Sequence, residues 1–131
     1  MKLITRDTDY AIRAICFIAG KKGEVVSVSE LVKQTKIPRP FLRKILQELN
    51  KKGILHSYKG KGGGFILAKA ADKIYLADVA RVFQGELAIN ECIFRKRICP
   101  SRDRCMLRTK LNQIEDQVLK KLRGIRLSSL I

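Results

Sequence analysis

The sequence predicts a mainly α-helical protein with a small β-hairpin: a winged helix-turn-helix domain followed by a long C-terminal dimerisation helix. Two short helical patterns flank the turn KIPRP, two strand-like runs flank the glycine-rich segment KGKGGG, and a regular apolar repeat fills the last quarter of the chain. We expect residues 1–84 to form the winged domain, residues 85–105 a cysteine-bearing loop, and residues 106–131 the dimerisation helix with a tail.

The first predicted helix covers residues 8–20. Its apolar residues follow the i, i+3, i+4, i+7 spacing of an amphipathic helix, at Ala11, Ala14, Ile15 and Ile18. Asp7 or Thr8 can cap its N-terminus. We interpret Cys16, in the same helix, as a small packed hydrophobe rather than a metal ligand.

The helix-turn-helix is predicted around KIPRP, where two prolines interrupt any continuous helix. Before the turn, an extended piece over 25–28 leads to Ser29, the expected N-cap of a helix over 30–35. After the turn, a third helix over 40–52 has an apolar inner face of Leu42, Ile45, Leu46 and Leu49. Its outer face is polar and basic, with Arg39, Arg43, Lys44, Gln47, Asn50 and Lys51. Such a face is either simply solvated or binds nucleic acid.

The predicted wing is a hairpin with strands over 54–58 and 65–68. A glycine-rich loop can also cradle a nucleotide phosphate, but that site requires a helix after the loop, and here FILA resumes a strand. Lys59 and Lys61 lie at the predicted tip, where they would position nucleic acid without reading its sequence. We interpret His56 as a packing or surface residue.

The C-terminal part begins with a predicted helix over 76–84 and resumes its regular pattern after Cys105. Apolar residues then alternate at spacings of four and three, at Leu107, Leu111, Ile114, Val118, Leu122 and Ile125. This spacing favours a helix that pairs with a copy of itself, and packing against the chain's own core is the alternative.

The charge balance points to a polyanionic partner. The 131 residues include 28 Lys and Arg against 12 Asp and Glu, which gives a net charge of +16. Nucleic acid is the first candidate and an anionic membrane surface the second, although no apolar run approaches the length of a membrane span. Without a signal-peptide pattern we expect a cytoplasmic protein, and with one histidine and few acids we expect no enzyme.

Three cysteines, Cys92, Cys99 and Cys105, stand in a C-x6-C-x5-C spacing beside five basic residues. Three cysteines cannot pair completely as disulfides, and zinc fingers use closer C-x2-C pairs. Three thiolates can instead ligate an iron–sulfur cluster, which then needs a fourth donor. The alternative is a zinc-stabilised or cluster-free basic protein that binds nucleic acid or another partner.

The chain resembles the Rrf2 family of bacterial-type winged-helix transcriptional regulators over nearly its whole length. The resemblance lies in KLITRDTDYAIRAI, LVKQTKIPRPFLRKILQELNKKGIL, YKGKGGGF and the cysteine triplet. It implies a homodimeric repressor that binds palindromic operator DNA, with the third helix in the major groove and the wing beside it. Candidate DNA contacts are Arg39, Arg43, Lys44, Gln47, Lys51, Lys59 and Lys61, with Arg43 and Gln47 as base readers.

The resemblance also implies an iron–sulfur cluster on Cys92, Cys99 and Cys105, 4Fe-4S in preference to 2Fe-2S, which senses nitric oxide, redox state or iron supply. IscR-like members supply a histidine three residues after the last cysteine, but Arg108 stands there and its guanidinium has no lone pair to offer. NsrR-like members use an aspartate in the partner's first helix, and Asp9 matches that position, with Asp7 as a weaker alternative. The chain is therefore closer to the NsrR-like branch, although its x6 gap is one residue longer than usual.

Overall fold

Five α-helices and one β-hairpin build the structure, a computed structural model that describes residues 3–87 and 106–131. The helices are α1 (Arg6–Gly20), α2 (Val28–Thr35), α3 (Arg39–Lys51), α4 (Leu76–Gln84) and α5 (Met106–Arg123). Strands β1 (Leu55–Tyr58) and β2 (Gly64–Leu67) pair antiparallel between α3 and α4. Single-turn 3-10 helices cover Ala71–Lys73 and Leu127–Leu130. The predicted fold class is confirmed, and no helix of the described residues is long and apolar enough to cross a membrane.

The core forms where α1 packs against α3, α4 and the hairpin. Every apolar residue predicted to face inward on the first and third helices is buried, with at most 2% of its surface exposed. They are Ala11, Ala14, Ile15, Ile18, Leu42, Ile45, Leu46 and Leu49. Since burial of a large aliphatic side chain contributes roughly 1.5–3 kcal/mol, these two helix faces supply much of the folding free energy.

The cap of α1 differs from the sequence prediction. Thr5, not Asp7 or Thr8, is the N-cap, and its hydroxyl accepts a hydrogen bond from the Thr8 backbone N–H at 3.4 Å. Thr8 is instead fully buried inside the first turn. The helix therefore starts at Arg6, two residues earlier than predicted.

The start of α2 also differs, because the predicted extended piece is shorter than expected. Val26 forms an antiparallel bridge with Phe65, and the chain turns into helix directly afterwards. Ser27, not Ser29, is the N-cap, and its hydroxyl accepts from the Glu30 N–H at 3.1 Å. Two serines two residues apart are equally suited to capping, and pairing with a distant strand selects the first.

Glycine is required in the wing because two backbone segments approach each other there. The Phe65 N–H donates to the Val26 carbonyl at 2.8 Å, and the Val26 N–H donates back at 3.0 Å. A Cβ atom on Gly64 would lie 2.1 Å from that Val26 oxygen, and one on Gly63 would lie 2.2 Å from the Tyr58 carbonyl oxygen. Main-chain atoms cannot give way as a flexible side chain can, so these two positions exclude any larger residue.

We expect Gly64→Ala to lower the free energy of unfolding by about 3 kcal/mol, because the added methyl group forces the β2 backbone away from Val26. Urea denaturation followed by circular dichroism measures the change. Gly20→Ala is the matched control, since a Cβ atom there meets nothing within 4 Å, and we expect its stability to be unchanged or raised by up to about 1 kcal/mol. Equal stabilities of the two variants would contradict the steric explanation.

Gln84, the last residue of α4, ties the beginning of the chain to the end of that helix. Its Oε1 accepts from the Thr5 N–H at 3.0 Å and from the Thr8 hydroxyl at 2.8 Å. Its Nε2 donates to the Leu3 carbonyl at 2.9 Å. The first turn of α1 is therefore fixed against the helix that leads into the cysteine-bearing segment.

The C-terminal tail is part of the core of the winged domain. The Leu76 N–H donates to the Ile125 carbonyl at 2.9 Å, and the Leu127 N–H donates to the Ile74 carbonyl at 2.8 Å. Leu127 is fully buried. The tail predicted to follow a separate dimerisation helix thus returns to the start of α4.

Candidate nucleic-acid interface

The polar face of α3 is open to solvent along its whole length. Because the four apolar residues of the helix take up its inner side, the intervening residues must point outward at 3.6 residues per turn. All six predicted outer residues are exposed: Arg39, Arg43, Lys44, Gln47, Asn50 and Lys51. Pro40 near the N-terminus of α3 fixes the backbone where the helix begins.

Some of these side chains already have partners, whereas others do not. Arg39 donates to the Ser29 hydroxyl of α2 at 3.1 Å, and the Lys51 ammonium lies 3.6 Å from the Glu48 carboxylate. Within residues 3–87 and 106–131, no side-chain hydrogen bond or ion pair is formed by Arg43, Lys44 or Gln47. These three side chains keep their full hydrogen-bonding capacity for an external partner.

An open cleft of about 380 Å³ separates the outer face of α3 from the wing. Its helix wall contains Gln47 and Asn50, and its wing wall contains Ser57, Tyr58 and Lys59. The rest of its lining comes from the start of α2 and from the end of the wing loop with the start of β2, through Val28, Gly63, Gly64 and Phe65. The predicted base-reading Gln47 and the predicted backbone-contacting Lys59 therefore lie on the two sides of one cleft.

The wing tip is a tight, positively charged turn. The Gly63 N–H donates to the Gly60 carbonyl at 3.0 Å, and Gly60 and Gly62 adopt φ angles of 89° and 78°, which favour glycine. Lys59 and Lys61 are both exposed there. From α3 to the tip, seven basic residues stand against a single acid, Glu48: Arg39, Arg43, Lys44, Lys51, Lys52, Lys59 and Lys61.

Phe41 and Arg6 form a contact beside the outer face of α3, and neither residue was among those predicted to bind nucleic acid. Phe41 is the one large apolar residue of α3 that is exposed, and the guanidinium of Arg6 from α1 lies over its ring. The signal in the sequence was an aromatic residue outside the apolar spacing of the helix, since Leu42 already fills the inward position.

The predicted metal ligands fall into two groups. Cys92, Cys99 and Cys105 lie outside the described residues. Asp9 is in the first turn of α1, with 46% of its side chain exposed and its Oδ2 3.0 Å from Nε of Arg13. In the described part of the chain, no three His, Cys, Asp or Glu side chains gather as they would around a metal ion. A cluster would therefore depend on the cysteines between α4 and α5.

Cys16 and His56, which were also considered as metal ligands, have the surroundings that the sequence predicted. Cys16 is a free, partly buried thiol packed against the core, and burial raises its pKa. A neutral thiol in an apolar setting is a packing group rather than a reactive one. His56 is exposed on β1, which agrees with a surface role.

The apolar repeat of α5 is divided between two surfaces. Leu107 and Ile114 are more than half exposed, and Leu111 and Val118 are partly exposed. Leu122 instead packs against the chain's own core, as does Ile125, which lies beyond the end of the helix. The surface left for a second copy is thus shorter than the predicted seam, and its use in dimerisation stays a prediction.

Comparison with known proteins gives a consistent result over nearly the whole chain. A family model described as Rrf2, iron-dependent transcriptional regulator, matches residues 4–131. A predicted HTH-type transcriptional regulator of Aquifex aeolicus (strain VF5) is 34% identical over 124 residues, which cover 93% of this chain and 86% of the relative. Two solved structures share the fold. CymR, the global cysteine regulator of B. subtilis, has a TM-score of 0.82 at 24% identity and coverage of 99% and 96%. T. potens IscR has a TM-score of 0.72 at 21% identity and coverage of 99% and 85%.

Proposed function

The chain belongs to the Rrf2 family of transcriptional regulators, and from this premise we propose that it is a homodimeric repressor whose affinity for palindromic operator DNA is set by an iron–sulfur cluster. Transcription regulation through DNA binding and the winged-helix fold follow from the family itself. Because members of the family are regulators, the expectation that the chain is not an enzyme is confirmed. DNA as the target is consistent with the expected cytoplasmic location.

The observation that carries the DNA-binding proposal is the exposed basic face of α3 beside the wing cleft. The major groove of B-DNA is about 12 Å wide and admits an α-helix. With α3 in the groove, the exposed Arg43 and Gln47 reach base edges. The hydrogen-bond donors and acceptors of Arg and Gln match those of guanine and adenine, respectively. Lys59 and Lys61 then contact the backbone from the wing tip.

The proposal of a dimer rests on the exposed part of the α5 repeat. Leu107, Leu111, Ile114 and Val118 form an apolar stripe that a second α5 would cover. A twofold dimer presents two copies of α3, which must be spaced to match half-sites about 34 Å apart on the DNA. Any change in the spacing or orientation of the two α3 helices then changes operator affinity.

The donor chemistry supports the cluster. We assign Cys92, Cys99 and Cys105 as its thiolate ligands and Asp9 of the other subunit as the fourth ligand. The Asp9 side chain is 46% exposed, so a group outside its own helix can reach the carboxylate, and Arg13 contacts that carboxylate at 3.0 Å. When bound, the cluster would supply a centre that reacts with nitric oxide or oxidants or reports on iron supply. The description of the family as iron-dependent supports an iron-containing centre in this chain.

A change at Asp9 can also be transmitted through α1 to α3, the proposed DNA-binding helix. It follows Thr8, which is buried and hydrogen-bonded to Gln84, and it lies on α1, which packs directly against α3. A change at the Asp9 carboxylate therefore acts on α1. The opposite face of α1 packs against α3 and holds it in place.

We expect Asp9→Ala to lose iron and acid-labile sulfide, or to shift the visible absorption, in protein isolated without oxygen. Dimerisation, measured by light scattering, should be unchanged. Asp7→Ala is the matched control, because Asp7 lies in the same helical turn with the same 46% exposure. Loss of the cluster in Asp7→Ala alone would move the fourth ligand to Asp7, and an unaltered Asp9→Ala spectrum would exclude Asp9. A colourless wild-type protein that holds zinc, or no metal, would contradict the cluster.

A further inference from the structure

We propose that Arg6, stacked on Phe41, is a second phosphate-binding point for DNA, on the flank of α3 that faces away from the wing. The Arg6 Cζ lies 4.9 Å from the centre of the Phe41 ring. Arg6 keeps 64% of its side chain exposed, and Phe41 is 43% exposed. The pair is therefore a surface feature that joins the first residue of α1 to the first turn of α3.

Helical geometry places the pair opposite the wing. Asn50 lines the cleft between α3 and the wing. Phe41 precedes it by nine residues, which is about two and a half turns of helix, so the two side chains leave α3 on opposite flanks. Lys44, one turn after Phe41, lies between the Phe41 flank and the outward face.

A helix in the major groove has a sugar-phosphate backbone on each side. On one side, the wing presents Lys59 and Lys61. On the other side, Arg6 is a cation that the fold adds to those of α3 itself. The two flanks together would hold α3 at a fixed depth and orientation in the groove.

The chemistry of the pair suits a phosphate. The Phe41 ring restrains the Arg6 guanidinium, which lies over it, so less side-chain freedom is lost when an oxyanion binds to the exposed part of the Arg6 side chain. Among the described residues, the acid that pairs with Arg6 is Asp7, whose Oδ1 is 4.0 Å from Nε of Arg6. An exposed contact of that length is weak, and it leaves the guanidinium available.

This inference rests on DNA binding by α3. All variants are tested on one operator, a palindrome selected from random DNA by the wild-type protein. We expect Arg6→Ala to reduce the slope of log Kd against log salt concentration by about 0.9 per subunit. For a dimer at 0.15 M salt, that slope corresponds to about 30-fold weaker binding, with base preferences unchanged. Phe41→Leu should weaken binding by about threefold with the slope retained, because the charge remains but the stacking is lost.

Lys21→Ala is the matched control. Lys21 also lies over an aromatic ring, that of Phe17 at 5.2 Å, and follows the last residue of α1, but it is already paired with Glu30 at 3.2 Å. We expect it to bind DNA with the wild-type slope. A wild-type slope for Arg6→Ala, or an equal fall of the slope for Lys21→Ala, would overturn the proposal while leaving DNA binding by α3 intact. Failure of the wild-type protein to select DNA would overturn both, and circular dichroism of each variant verifies folding.

Discussion

Arg43→Ala is expected to weaken operator binding at least about 30-fold and to erase discrimination at one base pair of each half-site. Arg43 is exposed on α3 and has no polar side-chain partner in the described residues, so its guanidinium is available to bind a base edge. Loss of such a contact costs about 1–3 kcal/mol per half-site, and a twofold operator contains two. Fluorescence anisotropy at one fixed salt concentration, on the operator and on single-base variants of it, measures both effects.

Two controls separate base reading from charge. Lys69→Ala removes the same charge from the base of the hairpin, at the end away from the tip, and should leave both affinity and base preference unchanged. Gln47→Ala removes no charge and should relax the preference at a different base pair without altering the salt dependence. If Arg43→Ala and Lys69→Ala weaken binding equally, α3 contributes only general charge and does not read bases.

Local sequence patterns were sufficient wherever one helix faces one core. The spacing of apolar residues in α3 predicted each of its four buried positions, and the bounds predicted for α4 match the structure. Both helices have a single apolar stripe and a clear stop, Gly53 after α3 and Gly85 after α4. In such segments the same periodicity determines the secondary structure and the direction of burial.

Contacts between distant segments could not be predicted in this way. The choice of Ser27 over Ser29 as a cap depends on the bridge between Val26 and Phe65, and Gly64 is required for the same reason. The hydrogen bonds of Gln84 to the first turn of α1 likewise join residues nearly eighty positions apart. Neither arrangement leaves a periodic trace in the sequence.

The repeat in α5 shows a different limit. Apolar residues that face the chain's own core and those that would face a second copy follow one continuous spacing, so the pattern cannot tell Leu122 from Ile114. Only the position of the tail against α4 separates them. In the candidate DNA surface, the sequence pattern missed a residue. Arg6 lies on α1 rather than α3, and only the fold brings it to Phe41.

Cluster removal is expected to have the second large effect, because the proposed ligands join the cysteine segment of one subunit to α1 of the other. If Asp9 and the three cysteines are linked in this way, the cluster fixes the spacing and orientation of the two α3 helices. Its loss should then change operator affinity by about 5- to 150-fold, the usual range of coupling between two binding sites. Cys99→Ser should give the affinity of the cluster-free protein whether or not iron is present.

The most direct measurement is the Kd for operator DNA on one anaerobic preparation, before and after the cluster is removed by a chelator, with acid-labile sulfide determined in both samples. We expect sulfide in the first sample only and at least a fivefold difference in Kd. Equal Kd values for the sulfide-containing and the sulfide-free protein would contradict cluster control of DNA binding.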